Sequence, residues 1–170
     1  VATYDYEAAY PTNYINAIWK NNYTGISNVN NLLAHIDGGA SLFSEDNYEV
    51  IKGEALALRA MLHFDLLRCF GVSFAVNPDM PSIPYSTALD YHVFPQLTVA
   101  EAATQVLADL LQAEALLREA DPIVTGRVIT ELDDNGYLIN RPVHLNYYAV
   151  KALQARVYMC VRRYDEAHRA

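Results

Sequence analysis

Three carboxylates lie close together late in the chain, at Glu131, Asp133 and Asp134. Glycoside hydrolysis needs two carboxylates about 5–10 Å apart across a sugar ring, so these acids are the first candidates for catalysis. However, Asn135-Gly136 follows them directly, and this sequence is strong turn chemistry between two β-prone stretches. The acids also lack the further ligands and the terminal glutamate of an EF-hand calcium loop. We therefore interpret the segment as a solvated hairpin turn and expect neither a hydrolase nor a calcium site.

No other pattern indicates catalysis, a metal or a cofactor. The sequence has no GxSxG, HExxH, GxGxxG or P-loop motif, which are signatures of nucleophilic, zinc and nucleotide sites. Cys69 and Cys160 lie inside apolar helical patterns without CxxC spacing, and we predict that both are buried and free. None of the histidines shows metal-ligand spacing: His35, His63, His92, His144 and His168. We expect His63 to pack inside a helix with a hydrogen bond to a neighbour, and we predict a protein that is not an enzyme and has no metal or cofactor.

The charged residues of one apolar stretch, Lys52 to Gly71, form a further candidate cluster. Asp65 and Arg68 are three positions apart on one predicted helix and can pair with each other. A helix that is otherwise so apolar should hold its charges in ion pairs or at its exposed edge. We therefore assign Glu54, Arg59, Asp65 and Arg68 a structural role.

Thirteen tyrosines are many for 170 residues. Aromatic rings with a polar tip suit both sugar stacking and protein interfaces. Most should pack between helices, whereas those in irregular segments are better ligand candidates, because binding residues concentrate on loops held by a rigid scaffold. The candidate ligand-binding residues are Tyr4, Tyr6, Tyr10, Tyr85 and Tyr91.

The composition limits the classes of partner. The chain is 52% hydrophobic and 19% charged, which is typical of a globular domain, and no apolar run approaches the roughly 18 residues of a membrane span. A net charge of −8 argues against binding to nucleic acid and to an anionic membrane surface. A neutral or polymeric ligand fits better. The first residues do not have the pattern of a signal peptide.

Apolar residues at three-to-four spacing predict a long first helix from Tyr10 to Asp37, with Gly38-Gly39 as a left-handed end. The second helix starts with Asp46 and Glu49 in capping-box spacing and runs to the end of the apolar stretch at Gly71. It contains Gly53, where glycine costs about 1 kcal/mol relative to alanine. This predicts that another backbone approaches the helix closely at Gly53.

The segment from Val72 to Gln96 contains four prolines, which exclude a regular helix. A third helix begins with a capping box at Thr98 and Glu101 and ends before Asp121-Pro122. Two β-prone stretches, Arg127 to Leu132 and Tyr137 to Asn140, predict a β-hairpin. A fourth helix carries Ala149, Leu153, Val157 and Cys160. A fifth begins near Tyr164 and has no cap or breaker before Ala170, so we expect the sequence to be part of a longer protein.

The end of the chain partly matches a tetratricopeptide repeat, in which small and aromatic residues recur at fixed offsets so that helix pairs can stack. The usual tryptophan and leucine positions hold Lys151 and Gln154 instead. Four offsets match in order, at Ala155, Tyr158, Tyr164 and Ala167.

The segment Lys52 to Gly71, KGEALALRAMLHFDLLRCFG, resembles the most recognisable motif of the SusD/RagB family, the surface glycan-binding lipoproteins of Bacteroidetes nutrient-uptake systems. Further stretches lie where that family has them, so the resemblance covers nearly the whole chain. They are the helix with Trp19, Tyr23, Ile26, Asn30 and Leu33, the loop Ile83-Pro84-Tyr85, the helix Thr98 to Leu117 with Asp109-Leu110, and the helix pair Asn146 to Ala170.

The resemblance implies a non-catalytic binding protein that sits as a lid on a SusC-like, TonB-dependent β-barrel transporter. Such a protein delivers oligosaccharides, or in some members peptides, to the barrel. It implies a location at the outer membrane and cell surface, with membrane attachment only through a lipidated cysteine that this sequence does not contain. The residues of the family motif that we expect to be structural are Gly53, Glu54, Arg59, Asp65, Arg68 and Gly71.

We therefore predict an all-α fold of tetratricopeptide-like helix pairs with a small β-hairpin insertion. Residues 1–170 are expected to form a single helical domain from the N-terminal part of a longer SusD-like protein. The expected function is cell-surface binding of glycans or other nutrients for a SusC-like transporter. The alternative is a generic helical-repeat scaffold that binds only protein.

Overall fold

The structure is a computed structural model, and it describes residues 8–90, 92–130 and 136–170. Most of these residues are in helices. The α-helices are α1 (Ala9–Ile36), α2 (Asn47–Phe70), α3 (Val99–Ala120), α4 (Pro122–Thr125), α5 (Tyr147–Cys160) and α6 (Tyr164–Arg169). Two strands, β1 (Pro81–Pro84) and β2 (Gln96–Thr98), lie between α2 and α3, and 3-10 turns lie at Asp37–Leu42 and Arg141–Val143. The fold is all-α with a small two-stranded sheet, as predicted. Among the described helices, none is long and apolar enough to cross a membrane.

Helix α2 is the centre of the fold, because it packs against both α1 and α3, while α3 packs against α5 and α5 against α6. The main core joins α2, α3 and α5 and includes Leu56, Leu110 and Val157. A second cluster includes Ile26 of α1 and Ile83 of β1. Since α2 is covered from several sides, its sequence is apolar around most of its circumference.

Gly53 of α2 lies directly against α3, which confirms the predicted close packing. A Cβ atom at this position would lie 2.8 Å from Leu117 Cγ and 3.4 Å from the Ala113 carbonyl oxygen. Leu117 is fully buried, so it has little room to move away. Glycine is therefore needed here for helix packing.

Replacing Gly53 with alanine is expected to lower the free energy of unfolding by about 1–2 kcal/mol. Overpacking destabilises a core by about 1–3 kcal/mol. The higher helix propensity of alanine offsets at most about 1 kcal/mol of this loss. Gly38→Ala is the matched control, because a Cβ at Gly38 would meet no atom within 4 Å. Urea unfolding followed by circular dichroism measures both variants, and equal stabilities would contradict the close contact at Gly53.

The capping box of α3 is confirmed, whereas the one predicted for α2 is wrong. At α3, the Glu101 amide donates to Thr98 Oγ1 at 3.2 Å and the Thr98 amide donates to Glu101 Oε2 at 2.9 Å. At α2, the Asp46 side chain makes no capping hydrogen bond. Its carboxylate lies 3.6 Å from Arg127 Nη1. Asp46 therefore pairs with a cation far along the chain and does not accept from the amides at the start of α2.

The predicted left-handed end at Gly38-Gly39 is also wrong. Helix α1 ends at Ile36, close to the predicted Asp37, and the chain continues directly into the 3-10 turn. Neither glycine has a positive φ; the left-handed residue before α2 is Glu45, with φ 48°. The glycine pair therefore passes through the turn without the conformation that only glycine adopts readily.

The small antiparallel sheet is present, but at another place in the chain than predicted. Strand β1 pairs with β2, with Pro81 opposite Thr98 and Pro84 opposite Gln96. Prolines are tolerated there because both strands are edge strands. In the predicted hairpin region, residues 127–130 have no regular structure and residues 136–140 form turns; Glu131, Asp133 and Asp134 lie outside the described residues.

Helices α5 and α6 form the predicted final pair. Tyr158 is buried and Ala167 packs against the main core, whereas Tyr164 is 57% exposed. The prediction that both cysteines are buried is wrong, since Cys69 and Cys160 are free but exposed. They lie in the last turns of α2 and α5, where each helix leaves the core and the chain continues into a loop.

Candidate functional site

Arg59 of α2 and Asp109 of α3 form a buried ion pair at the centre of the molecule. Arg59 Nε and Nη2 donate to the two oxygens of Asp109, each at 2.7 Å, and Nη1 donates to Asn30 Oδ1 at 3.1 Å. The Tyr85 hydroxyl donates to Asp109 Oδ2 at 2.6 Å. Although burial disfavours the guanidinium charge, the hydrogen bonds that Arg59 donates to Asp109, together with the negative charge of that carboxylate, hold the pKa of Arg59 above its usual value. Both charges are thus satisfied by protein groups, as buried charges must be.

His63 extends this network toward the strands. Its Nδ1 lies 2.9 Å from the Arg59 carbonyl oxygen, and its Nε2 accepts from the Ser86 amide at 3.0 Å. Its ring stacks on Tyr85, with centroids 3.8 Å apart. Burial lowers the pKa of His63 to about 4. The ring is therefore neutral at physiological pH with its proton on Nδ1, and the expectation of a packed, hydrogen-bonded histidine is confirmed.

The segment Pro84 to Ala88 is fixed to α1 through alternate carbonyl groups. The Tyr23 hydroxyl donates to the Pro84 carbonyl at 2.8 Å, and Asn30 Nδ2 donates to the carbonyls of Ser86 at 3.1 Å and Ala88 at 3.3 Å. Tyr23 and Asn30 are seven positions apart, or two helical turns, so they share a face of α1. Helical side chains thus replace the hydrogen bonds that a neighbouring strand would supply.

The loop that follows is exposed. Leu89 is 54% and Val93 is 95% exposed, and Asp90 Oδ1 accepts from the His92 amide at 2.9 Å. The buried network therefore fixes the first part of the connection between β1 and β2 and leaves the next part accessible. Loops supported in this way are common places for binding residues.

A second buried ion pair holds the segment before α5. Arg141 Nε and Nη2 donate to the oxygens of Asp121 at 3.0 and 2.8 Å, and Nη1 donates to Glu54 of α2. The Tyr147 amide donates to Asp121 at 3.0 Å, and the Tyr137 hydroxyl donates to Glu54 at 3.0 Å. Asp121 is completely buried. Glu54 therefore joins α2 to a segment far along the chain.

The remaining motif residues lie at the end of α2. Asp65 and Arg68 pair with 3.5 Å between Oδ1 and Nη1, and both side chains are about half exposed. Gly71 ends the helix, and its amide donates to the Leu67 carbonyl at 2.8 Å. A Cβ at Gly71 would lie 2.6 Å from that same oxygen, so a larger residue would force the chain to leave the helix differently.

Two of the five candidate tyrosines lie in the described part of the chain, and one of them is buried whereas the other is exposed. Tyr85 does not suit the ligand role expected of it, because it is only 6% exposed and its hydroxyl is bound to Asp109. Tyr10 is 72% exposed, and its ring lies against that of Tyr14 with 4.7 Å between centroids. The two hydroxyls are 3.0 Å apart. The other candidates, Tyr4, Tyr6 and Tyr91, lie outside the described residues.

An open apolar groove runs between α1 and α2. Two adjoining parts, of about 710 and 490 Å³, share Leu32 and Ile51 on their walls. Apolar side chains make up most of its walls, and the polar residues that line it are Asn28, Asn31, His35, Glu54 and Tyr137. Within the described ranges, no group of three or more histidine, cysteine or acidic side chains could hold a metal ion.

Helical periodicity did not identify the residues that bind the charged side chains of the α2 motif, Glu54 and Arg59. Asn30 and Asp109 lie at positions that the helical pattern assigns to the core, and Asp121 and Arg141 lie near helix ends. A polar residue in the apolar phase of a helix is the signal that could have identified Asn30 and Asp109, because such a residue must find a buried partner.

A family match relates the chain to known proteins. A protein-family model described as SusD-like, starch-binding and associating with the outer membrane matches residues 2–125. No curated protein sequence matches the chain.

Several solved structures share the fold. A SusD superfamily protein from Bacteroides thetaiotaomicron is 27% identical with a TM-score of 0.68, over 88% of this chain and 29% of its own. A proposed sugar-binding protein from Bacteroides vulgatus is 26% identical with a TM-score of 0.68, over 89% and 30%. A SusD-like carbohydrate-binding protein from Bacteroides vulgatus, 24% identical, has a TM-score of 0.72 over 98% and 34%. This chain thus spans about a third of the length of these structures.

Proposed function

We propose that this chain, which belongs to the SusD-like family, is the helical part of a longer protein that binds oligosaccharides at the cell surface without cleaving them. The observation that carries the proposal is the family match over residues 2–125, whose description is starch binding in association with the outer membrane. The likeness to a proposed sugar-binding protein over 89% of this chain supports it.

The second part of the proposal is delivery of the bound sugar to a SusC-like, TonB-dependent β-barrel transporter. In this view a lipidated cysteine outside the present sequence holds the protein at the outer membrane. The helices form a rigid scaffold, because buried ion pairs join α2 to α3 and to the segment before α5. Loops and further chain complete the sugar site.

Among the described candidates, the pair of Tyr10 and Tyr14 is the best placed to stack on a sugar. Both rings are exposed, at 72% and 57%, and lie together at the start of α1. Exposed aromatic faces with hydroxyl groups combine apolar contact with hydrogen bonding to a sugar. Tyr4, Tyr6 and Tyr91 stay candidates on the sequence argument alone.

Replacing both Tyr10 and Tyr14 with alanine is expected to weaken glycan binding about fivefold or more, the usual effect of removing an aromatic anchor. Isothermal titration of the full-length protein against a panel of oligosaccharides measures the affinity. Tyr164→Ala is the matched control, because Tyr164 is also 57% exposed but lies on α6.

Three outcomes separate the proposal from its alternatives. Equal affinities of the double variant and the control would rule out Tyr10 and Tyr14 as sugar contacts. Accumulation of reducing ends during the titration would show that the protein is an enzyme. Binding to the barrel without binding to any glycan would favour the helical-repeat scaffold that binds only protein.

A further inference from the structure

A partly enclosed apolar cavity adjoins an arginine-lined groove at the end of α2. The cavity has about 230 Å³ and is walled by α2, the loop that follows it, α3 and Val161. The groove has about 500 Å³ and runs over the outer side of α5. Phe64, Arg68 and Cys160 line both spaces. They therefore form one continuous surface, which we name the arginine pocket.

Two guanidinium groups lie over the same buried ring in this pocket. The Cζ atoms of Arg68 and Arg156 are 5.7 and 6.0 Å from the centroid of Phe64. Phe64 is 2% exposed, whereas both arginines are exposed. The attraction between each cation and the ring favours these positions, with Arg68 where the cavity and the groove meet and Arg156 in the groove.

The positive charge of the pocket is poorly neutralised within the chain. Arg68 pairs with the half-exposed Asp65 at 3.5 Å, and Arg156 has no carboxylate partner among the described residues. The charged residues that line the two spaces are Arg68 and Arg156, both basic, although the whole chain has a net charge of −8. The pocket is therefore a local basic surface on an acidic protein.

We propose that the arginine pocket binds an acidic segment of a partner protein. The cavity has room for one large apolar side chain, and the guanidinium groups of Arg68 and Arg156 in the adjoining groove would bind carboxylates next to that side chain. Guanidinium groups match the geometry of carboxylates and can bind them through two hydrogen bonds. An apolar anchor surrounded by charge pairs is a common arrangement at protein interfaces.

A sugar fits this surface less well than an acidic peptide. Sugars stack on open aromatic faces. Of the two aromatic rings at this site, Phe64 is already covered by Arg68 and Arg156, and Phe74 is partly buried against the second core cluster. Met159, 56% exposed, adds apolar surface beside the groove. The pocket involves α2, α3 and α5, whereas Tyr10 and Tyr14 lie at the start of α1. The inference thus stands whether or not the glycan proposal holds.

Fluorescence anisotropy of the full-length protein with a labelled peptide, Ser-Asp-Asp-Phe-Asp-Ser, tests this inference. Saturable binding is expected, with weakening in 0.5 M salt because charge pairs at an exposed site are screened. Arg156→Glu should weaken binding at least tenfold. Lys20→Glu is the matched control, because it makes the same charge change at an exposed position on α1 and should change the affinity less than twofold. Thermal melting checks that both variants stay folded.

Two further peptides separate the parts of the interaction. The peptide with asparagine in place of each aspartate should lose the salt-dependent part of the affinity, and the peptide with alanine in place of phenylalanine should lose the apolar anchor. The inference is overturned if the wild-type protein binds no acidic peptide. It is also overturned if the asparagine peptide binds as tightly, or if Arg156→Glu behaves like Lys20→Glu.

Discussion

Replacing Asp109 with asparagine is expected to lower the free energy of unfolding by about 3–5 kcal/mol, the usual cost of removing one partner of a buried ion pair. The substitution hardly changes the volume of the side chain, but it leaves the guanidinium of Arg59 buried without a counter-charge. It also removes the carboxylate to which the Tyr85 hydroxyl donates at 2.6 Å. Urea unfolding of the full-length protein followed by circular dichroism measures the loss.

The matched control for this prediction is Asp65→Asn. Asp65 also pairs with an arginine, but its pair with Arg68 is about half exposed, and exposed pairs contribute about 0–1 kcal/mol. We therefore expect Asp65→Asn to leave the stability almost unchanged. If both variants lost the same small amount, the Arg59 and Asp109 pair would not be a main support of the fold.

The helices could be predicted well because each has a local signal. Helix α1 was predicted from Tyr10 to Asp37 and is observed from Ala9 to Ile36. Apolar periodicity marks the face that packs, and it depends only on residues within a few turns of one another. The capping box at Thr98 and the proline at Pro122 mark the ends of α3 in the same local way.

The small sheet could not be placed from the sequence, because strands of four and three residues are too short to show alternation. Pro81 and Pro84 argue against a strand in the sequence, although an edge strand tolerates proline. The Asp-Asn-Gly sequence after Asp133 predicted a hairpin turn with a strand on each side. The segment that follows is held in another way, because Arg141 binds Asp121 and Glu54 and so fixes it to α2 and to the end of α3.

The polar network was predictable only in part, since its members are far apart in sequence. Arg59 and Asp109 are 50 residues apart, and Glu54 and Arg141 are 87 apart. Sequence reasoning assigned the charges of α2 a structural role but could not identify partners that only the fold brings close. The burial of Tyr85 follows from the same network, because its hydroxyl completes the hydrogen bonding of Asp109.

The recognisable motif of α2 can be understood from what surrounds the helix. Gly53 allows α3 to pack closely, Arg59 binds both α3 and α1, and His63 binds the segment after β1. Together these residues contact three neighbours, α3, α1 and the segment after β1, and a change at any one of them disturbs a contact of its own. The motif therefore identifies the scaffold, whereas ligand and partner contacts are expected at exposed positions such as Tyr10 and Arg156.

Acidification is expected to destabilise the protein through His63. The pKa of this histidine is lowered from 6.5 to about 4 in the folded protein, chiefly by burial. Between these values the unfolded chain binds a proton that the folded chain does not, so stability falls as the pH decreases from about 6.5 to 4 and levels off below. The full loss corresponds to about 3 kcal/mol. Above pH 6.5 this contribution is fully present.

The loss should arise at His63 because protonation has specific consequences there. A proton on Nε2 would remove the acceptor for the Ser86 amide, which lies 3.0 Å away, and would place a second cation beside Arg59. Asp109 offsets only part of this, since it is already bound to Arg59 and Tyr85. Protonation should therefore free the segment after β1 before the helices unfold.

A difference measurement isolates this effect from the other titrating groups. The free energy of unfolding of the wild type minus that of His63→Gln should shrink by about 2–3 kcal/mol between pH 7 and pH 4, because glutamine does not titrate. His168→Gln is the control, since His168 is exposed on α6 and lies outside the buried network. A flat curve for His63→Gln would mean that the acid sensitivity of the protein lies elsewhere.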